Sequence, residues 1–557
     1  MRILSILFVV TIFLVGCGQN KPYDTIIRNG MIYDGLGGAP YKADLAINQD
    51  TIGFIGDLSG AKALNEIDAD GMAVSPGFIN MLSWANETLL EDGRSQSDMR
   101  QGVTTEVMGE GWSMGPLNAK MKKELQEGQG DIKYDVSWNS FGDYFTQLEK
   151  KGISCNVASF VGATSVRIYV LGEDNRAPTP SELDSMKALV KTAMREGALG
   201  VASSLIYPPA FFAKTSELTE LCKAAAPYGG MYISHMRSEG NKFLEALEEL
   251  ITISKNAGIP AEVYHLKAAG KNNWSKMDSA INRIERARKE GLKITADMYN
   301  YQAGATGLTS AFPPSLQEGG FGKLWKRLQD PAVRVSMTKA MNTDAQDWEN
   351  LYFAAGTPEN VILIEFTKDS LKKYNGKTLG AVAALRGQSV EECAMDLIIE
   401  DSSRIGTAYV LMNEDNIKKQ IALPWMSFGS DAGSYTNEGI FLKSSTHPRA
   451  YGNVARLLGK YVRDEKVISL QEAVHKLSDL PATNLKLQKR GRLEVGYFAD
   501  VVVFDPAKIQ DLSTFENPHQ YSTGVIQVWV NGIQVLKNGE HTNALSGRFL
   551  KGPGYKK

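Results

Sequence analysis

Between residues 75 and 484, short apolar runs alternate with helical patterns in about eight units. The runs include TTEVMG, NVASFVGA, LGVASSLIY, GMYISH, AEVYHL, LKITADMY and PWMSFGSD. Strands separated by helices must pair in parallel, because only a long crossover returns the chain in the same direction. About eight such units predict a closed (β/α)8 barrel of the TIM type. One helix start is explicit: Thr179 as N-cap, Pro180 at the first helical position and Glu182 at the third form a capping box, and the helix should end near Gly197. Residues 303–385 break the alternation with Pro313-Pro314 and GGFG, and are expected to form an inserted subdomain or lid over the barrel mouth.

The two ends read differently. Segments within 22–74, such as YDTIIRNGMIYDG and ADLAINQDTIGFIG, alternate apolar and polar residues and break at Gly and Asn-Gly. ADVVVFDP and VIQVWVNGIQVLKNGE, within 485–557, do the same. The expectation is an α/β chain: a barrel over 75–484 with a small β-sandwich built from both ends, which requires the barrel to bring its own termini together.

Residues 1–17 stand outside this plan. Arg2 precedes an apolar core from Ile3 to Val15, too short to span a bilayer comfortably. Leu14-Val15-Gly16-Cys17 resembles the lipobox of a bacterial lipoprotein signal, which implies cleavage before Cys17, its lipidation, and a mature chain held on a membrane of the cell envelope on its periplasmic or outer side. The alternative is a plain anchor helix in which Cys17 is incidental. Cys155, Cys222 and Cys393 then remain, an odd number without paired spacing, and read as small core residues rather than a disulfide framework. A net charge of -2 with acids and bases interspersed carries no nucleic-acid footprint. The oligomeric state is not encoded in any visible pattern.

Barrel chemistry is built at the C-terminal ends of the strands. Polar residues fall there: Glu110, His235, His265 with Lys267, Asp297 with Tyr299, and Asp431. The chain has only six histidines, and two of them end successive strands. Taken singly, each is an ordinary structural histidine. At equivalent ends of neighbouring strands they converge as metal ligands do.

The stretches PGFI, QGVTTEVMGE, EGALGVASSLIYPPAFFAKT, YISHMRSEG, HLKAAGKNNW, ADMYNYQAG, FGSDAG and THPRAYGNVARLLGKYV occur in one order along the chain. In that order they resemble the N-acyl-D-amino-acid deacylase (D-aminoacylase) branch of the amidohydrolase superfamily, over nearly the whole mature chain. The resemblance implies a metal-dependent amide hydrolase acting on a small-molecule N-acyl amino acid. It also implies that His235 and His265 hold zinc, that Asp431 is the catalytic aspartate, and that Lys267, Tyr299 and Arg449 hold the substrate carboxylate. Tyr207 is expected to line the acyl pocket, or simply to pack.

The departures from that family are specific. Its first-strand His-x-His is replaced by Leu82 and Trp84, and the preceding aspartate by Asn80. Neither an alkyl chain nor an indole donates a lone pair to a metal. The family's metal-binding cysteine is also missing; the turn reads MGEGW, which makes Glu110 the nearest substitute, and Ala305 stands where a serine is usual. The expectation is therefore one zinc ion on Glu110, His235 and His265, a His2Glu set. Three other readings remain open: a related hydrolase of short D-amino-acid-containing peptides or cyclic amides, a non-catalytic membrane-tethered binding protein, and a serine hydrolase. The last would use GWSMG, with Ser113 as nucleophile and Asp431 and His447 following it, although Pro116 interrupts the helix such a nucleophile needs.

Overall fold

A computed structural model describes residues 22–556, so the expected leader and Cys17 lie outside the described residues. Eight parallel strands form the barrel: β1 (Phe78–Asn80), β2 (Val103–Met108), β3 (Asn156–Ser159, continued by Val161–Gly162), β4 (Gly200–Ser204), β5 (Met231–His235), β6 (Ala261–Val263), β7 (Ile294–Met298) and β8 (Met426–Phe428). Each pairs in parallel with the next, with a register shift between Phe78 and Ile79 in the first pair. The ring closes where the Met81 N–H donates to the Phe428 carbonyl at 3.0 Å, and where Ser83 bridges Ala432 in parallel.

The strands are buried along their length because both faces are covered. Val107, Ala158, Ala202 and Ile233 fill the barrel interior together with Leu82. Val103, Val201, Tyr232 and Val263 pack outward against the helical layer. The helix Pro180–Glu196 starts as its sequence demands, with the reciprocal Thr179–Glu182 capping box, and stops at Gly197, whose φ of +112° suits glycine. It buries Met186, Val190, Ala193 and Met194.

The chain ends combine into one nine-stranded sheet. Its seam is the antiparallel pairing of Ala73–Pro76 with Val501–Phe504, and Ile27, Leu45, Val74, Val501 and Trp529 pack into one cluster across it. The inserted region forms a three-stranded antiparallel sheet in the order Ala303–Gly307, Gly406–Val410, Val361–Glu365, with its own core around Leu308, Phe312, Leu363, Leu379 and Tyr409. Because the middle strand is Gly406–Val410, the subdomain runs past the expected limit of 385. The helix Val390–Asp401 contributes Cys393, Leu397 and Ile398 to the insertion's core rather than to the barrel.

One buried feature lies behind β1 and β2. Glu106 accepts from the Ser83 hydroxyl at 2.6 Å and the Cys155 thiol at 3.1 Å, and Asp98 is buried close by. Burial raises the pKa of both acids, and the charge of Glu106 raises Asp98 further, with no basic side chain among the groups that shift them. An acid raised in the folded state keeps a proton that the unfolded chain releases. Its stability contribution is therefore intact below the unfolded pKa and falls as pH rises, by about 1.4 kcal/mol for each pH unit spanned. Asp98→Asn should raise the urea midpoint, and its advantage over the natural chain should widen from pH 5 to pH 8. A constant or shrinking advantage would show that Asp98 is ionised in the native state.

Candidate metal centre

Glu110 follows β2 between Gly109 and Gly111, with φ of +105° and +68°. A Cβ on Gly111 would meet Ser204 Oγ of β4 at 2.1 Å, so only glycine lets this loop lie against the strand and turn Glu110 inward. His235 is the last residue of β5. His265 follows β6 at φ +34°, and its N–H donates to Asp297 Oδ1 of β7 at 2.9 Å.

The three side chains meet at one atom. His235 Nδ1 lies 3.0 Å and His265 Nε2 2.9 Å from Glu110 Oε1. The three donor atoms lie within 4.8 Å of one another, and all three residues are buried. Burial pushes the Glu110 pKa up, but the His265 charge and the hydrogen bonds from both imidazoles outweigh it and hold the acid far below the usual carboxylate range. For His265, burial and Lys267 act downward, while Glu239 and Glu110 carry its pKa up to about 10. The cluster thus draws positive charge into the space between its donors. Two imidazole nitrogens and a carboxylate oxygen form a set that zinc accepts, and a divalent cation would meet the same electrostatic demand as the proton. His235 Nε2 is a buried nitrogen without a hydrogen-bond partner among the described residues.

Asp431 lies beyond β8 at φ +51°, anchored by its N–H to the Leu82 carbonyl at 2.8 Å. Its Oδ2 is 2.8 Å from Arg449 Nη2, and its Oδ1 accepts from the Trp84 indole N–H at 3.1 Å. Burial raises its pKa and Arg449 opposes that rise. The Arg449 guanidinium sits 4.4 Å above the Tyr299 ring, and its Nε and Nη1 have no partner among the described residues. Burial raises the Tyr299 pKa to about 12 against the pull of Lys267 and Arg449, which keeps its hydroxyl a neutral donor. His447 does not reach the reacting groups. It accepts the N–H of Arg449, the first residue of the helix Arg449–Arg456, at 3.0 Å, while its other nitrogen faces the Ala303 carbonyl.

Lys267 differs from its expected surroundings. It donates to Glu239 Oε1 at 2.6 Å and stands 2.8 Å from His265 Nδ1, so a buried carboxylate already answers its charge. Glu239, which is not among the residues expected at the site, follows His235 by four residues in the same strand-end loop. Its Oε1 is 3.0 Å from His265 Nδ1, and Lys267 and both imidazoles keep the acid ionised despite burial. Glu349 of the insertion fastens that loop by accepting from Ser238 Oγ at 2.5 Å and from the Gly240 N–H at 2.9 Å. A cleft of about 390 Å³ beside the loop is lined by Asn241, Lys271, Asp344 and Trp348, and by none of the candidate metal ligands.

Tyr207 packs edge-on to His235, ring centroids 5.3 Å apart, with the Arg404 guanidinium of the insertion over its ring at 5.3 Å. Ser113 is committed to backbone: its hydroxyl donates to the Gly115 carbonyl at 2.6 Å and accepts the Gly162 N–H at 3.0 Å. Neither contact is with a histidine, which leaves the hydroxyl without the base a serine nucleophile requires. Cys155, Cys222 and Cys393 are free and buried, as expected.

Comparison with known proteins agrees with this architecture. The model of the amidohydrolase family matches residues 65–536. A D-aminoacylase of Alcaligenes xylosoxydans xylosoxydans is 31% identical over 536 residues, which cover 96% of this chain and 98% of that protein. The crystal structure of an N-acyl-D-glutamate deacylase from Bordetella bronchiseptica, complexed with zinc and a phosphonate mimic of the tetrahedral intermediate, superposes with a TM-score of 0.78 at 27% identity, over 95% of this chain and all of that one. A D-aminoacylase structure described as addressing one-metal activation and second-metal attenuation in a binuclear centre gives 0.77 at 30% identity, covering 95% of this chain and 100% of that one.

Proposed function

The chain belongs to the amidohydrolase family, and from that premise we propose that it is a zinc-dependent deacylase of N-acyl-D-amino acids. The observation that carries the reading is the meeting of His235, His265 and Glu110 at a single oxygen, with Asp431 linked to the same carboxylate through Trp84. Glu110, His235 and His265 would hold one zinc ion, which supplies Lewis acidity toward an acyl oxygen and toward water.

The chain's own groups supply the rest. Arg449, whose Nε and Nη1 have no partner among the described residues, offers charge-assisted N–H donors to the substrate α-carboxylate. Tyr299 lies under that guanidinium and adds a neutral hydroxyl donor. Asp431 accepts a proton from the attacking water and returns it to the departing nitrogen, so that the amine leaves neutral. Tyr207 forms the wall of the acyl pocket beside His235. Lys267, paired with Glu239, orients His265 rather than gripping the substrate alone.

A panel of N-acetyl-D- and N-acetyl-L-amino acids, assayed beside metal analysis, tests the assignment. Hydrolysis of the D series with stoichiometric zinc is expected; equal rates on both series, or none on either, would remove it. Arg449→Ala should raise KM by about ten- to a hundredfold, the scale of a lost charge-assisted hydrogen bond. It should also lower kcat, because the same guanidinium pairs with Asp431. Zinc content should not change.

The lipobox supports a further part of the proposal, that Cys17 tethers the enzyme to a membrane of the bacterial envelope. Among the described residues no helix is long and apolar enough to cross a membrane. Cys17→Ser should move the protein from the membrane pellet to the soluble fraction after cell breakage. Continued sedimentation with membranes would count against lipidation.

A further inference from the structure

The Trp84 indole occupies an unusual position. Its N–H is 3.0 Å from Glu110 Oε2 and 3.1 Å from Asp431 Oδ1, so one donor spans two carboxylates that come from opposite sides of the barrel seam. Glu110 is buried and the Asp431 side chain is only 11% exposed. Two facing carboxylates of this kind require something positive or donating between them: a proton, a cation or an N–H. Here it is an N–H. An indole nitrogen donates and has no lone pair to offer a metal.

The backbone of the residue is held firmly, while the residue as a whole is 37% exposed at the mouth of the barrel. Its own backbone N–H donates to the Ala432 carbonyl at 2.9 Å, and Ser83 before it makes the β-bridge that closes the barrel. The alternating partner on the same segment, Leu82, is fully buried in the barrel interior and offers only alkyl carbon.

We propose that Trp84 is a positioning residue that stands in for a second cation. Its N–H holds the distal oxygen of Glu110 and the near oxygen of Asp431 in place, and its ring fills the volume a second ion would need. This rests on the one-zinc reading above and goes beyond it: the tryptophan restricts the site to a single ion and also aims the aspartate. Each Asp431 oxygen then has one fixed donor, Trp84 on Oδ1 and Arg449 on Oδ2, which sets the carboxylate plane before substrate arrives.

Zinc titration of the apo-protein, read by metal analysis after gel filtration, tests this with two variants. The natural chain should saturate at one zinc. Trp84→His places an imidazole beside Glu110 Oε2 and Asp431 Oδ1 and should admit a second, weaker zinc. Trp84→Phe keeps the ring but removes the N–H; it should retain one zinc and an unchanged KM while kcat falls about tenfold or more. Binding of two zinc ions by the natural chain would overturn the proposal, as would a Trp84→His protein that stops at one. A Trp84→Phe protein with full kcat would overturn it too, and one that loses its zinc would reduce Trp84 to packing. Should Trp84→His fail to fold, Trp84→Phe decides alone. A natural chain that binds no zinc would remove the one-zinc reading as well, and so separates the two failures.

Discussion

Replacing Asp431 by Asn is expected to lower kcat by about 10²- to 10⁴-fold, the usual range for a lost general acid–base group, with zinc content intact. The substitution is nearly isosteric. The amide oxygen can still accept from Trp84 or Arg449, so the loop beyond β8 should keep its course. What disappears, in the proposed mechanism, is the capacity to take a proton from water and return it to nitrogen. Because Asp431 does not belong to the three-residue donor cluster, metal occupancy and turnover should separate cleanly. An Asp431→Asn protein that turns over at more than about a tenth of the natural rate would assign the proton transfer elsewhere.

Glu110→Gln should produce the opposite separation, losing the metal first. Both imidazoles face one carboxylate oxygen, so the neutral amide removes the only anion in the donor set and turns either an uncharged oxygen or an N–H toward them. Zinc affinity should fall about a hundredfold or more, since changes to supporting groups alone cost ten- to a hundredfold. Activity should vanish at limiting zinc and return in part when zinc is raised. Equilibrium zinc binding measured with a competing chelator checks this. Ser113→Ala serves as the control: its hydroxyl serves only backbone groups, and turnover should stay within about twofold. Unaltered zinc affinity in Glu110→Gln would exclude this carboxylate as a ligand.

Much of the frame was legible in the sequence because its causes are local. Strands covered on both faces are rich in apolar residues, so the runs announced themselves, and Thr179, Pro180 and Glu182 state a helix start in three residues. The histidines at two adjacent strand ends could be paired by counting strands. Other features were hidden for physical reasons. Gly406–Val410 is an ordinary apolar strand, and only its antiparallel pairing with Ala303–Gly307 assigns it to the insertion. Glu239 sits in a polar loop where a carboxylate is unremarkable until Lys267 is seen against it. Leu82 and Trp84 read as lost ligands, yet the two positions do different things: one fills the barrel and the other presents a donor to the site.

The sequence by itself determined the period of each element, the caps, and the chemical identity of every donor: which side chains carry a lone pair, a charge or an N–H. Only the tertiary structure decided which of them meet. Glu110 lies 155 residues from His265, and Trp84 lies 347 from Asp431. Their approach follows from closure of the ring at Met81 and Phe428, a long-range event set by packing and strand tilt, which no local preference encodes.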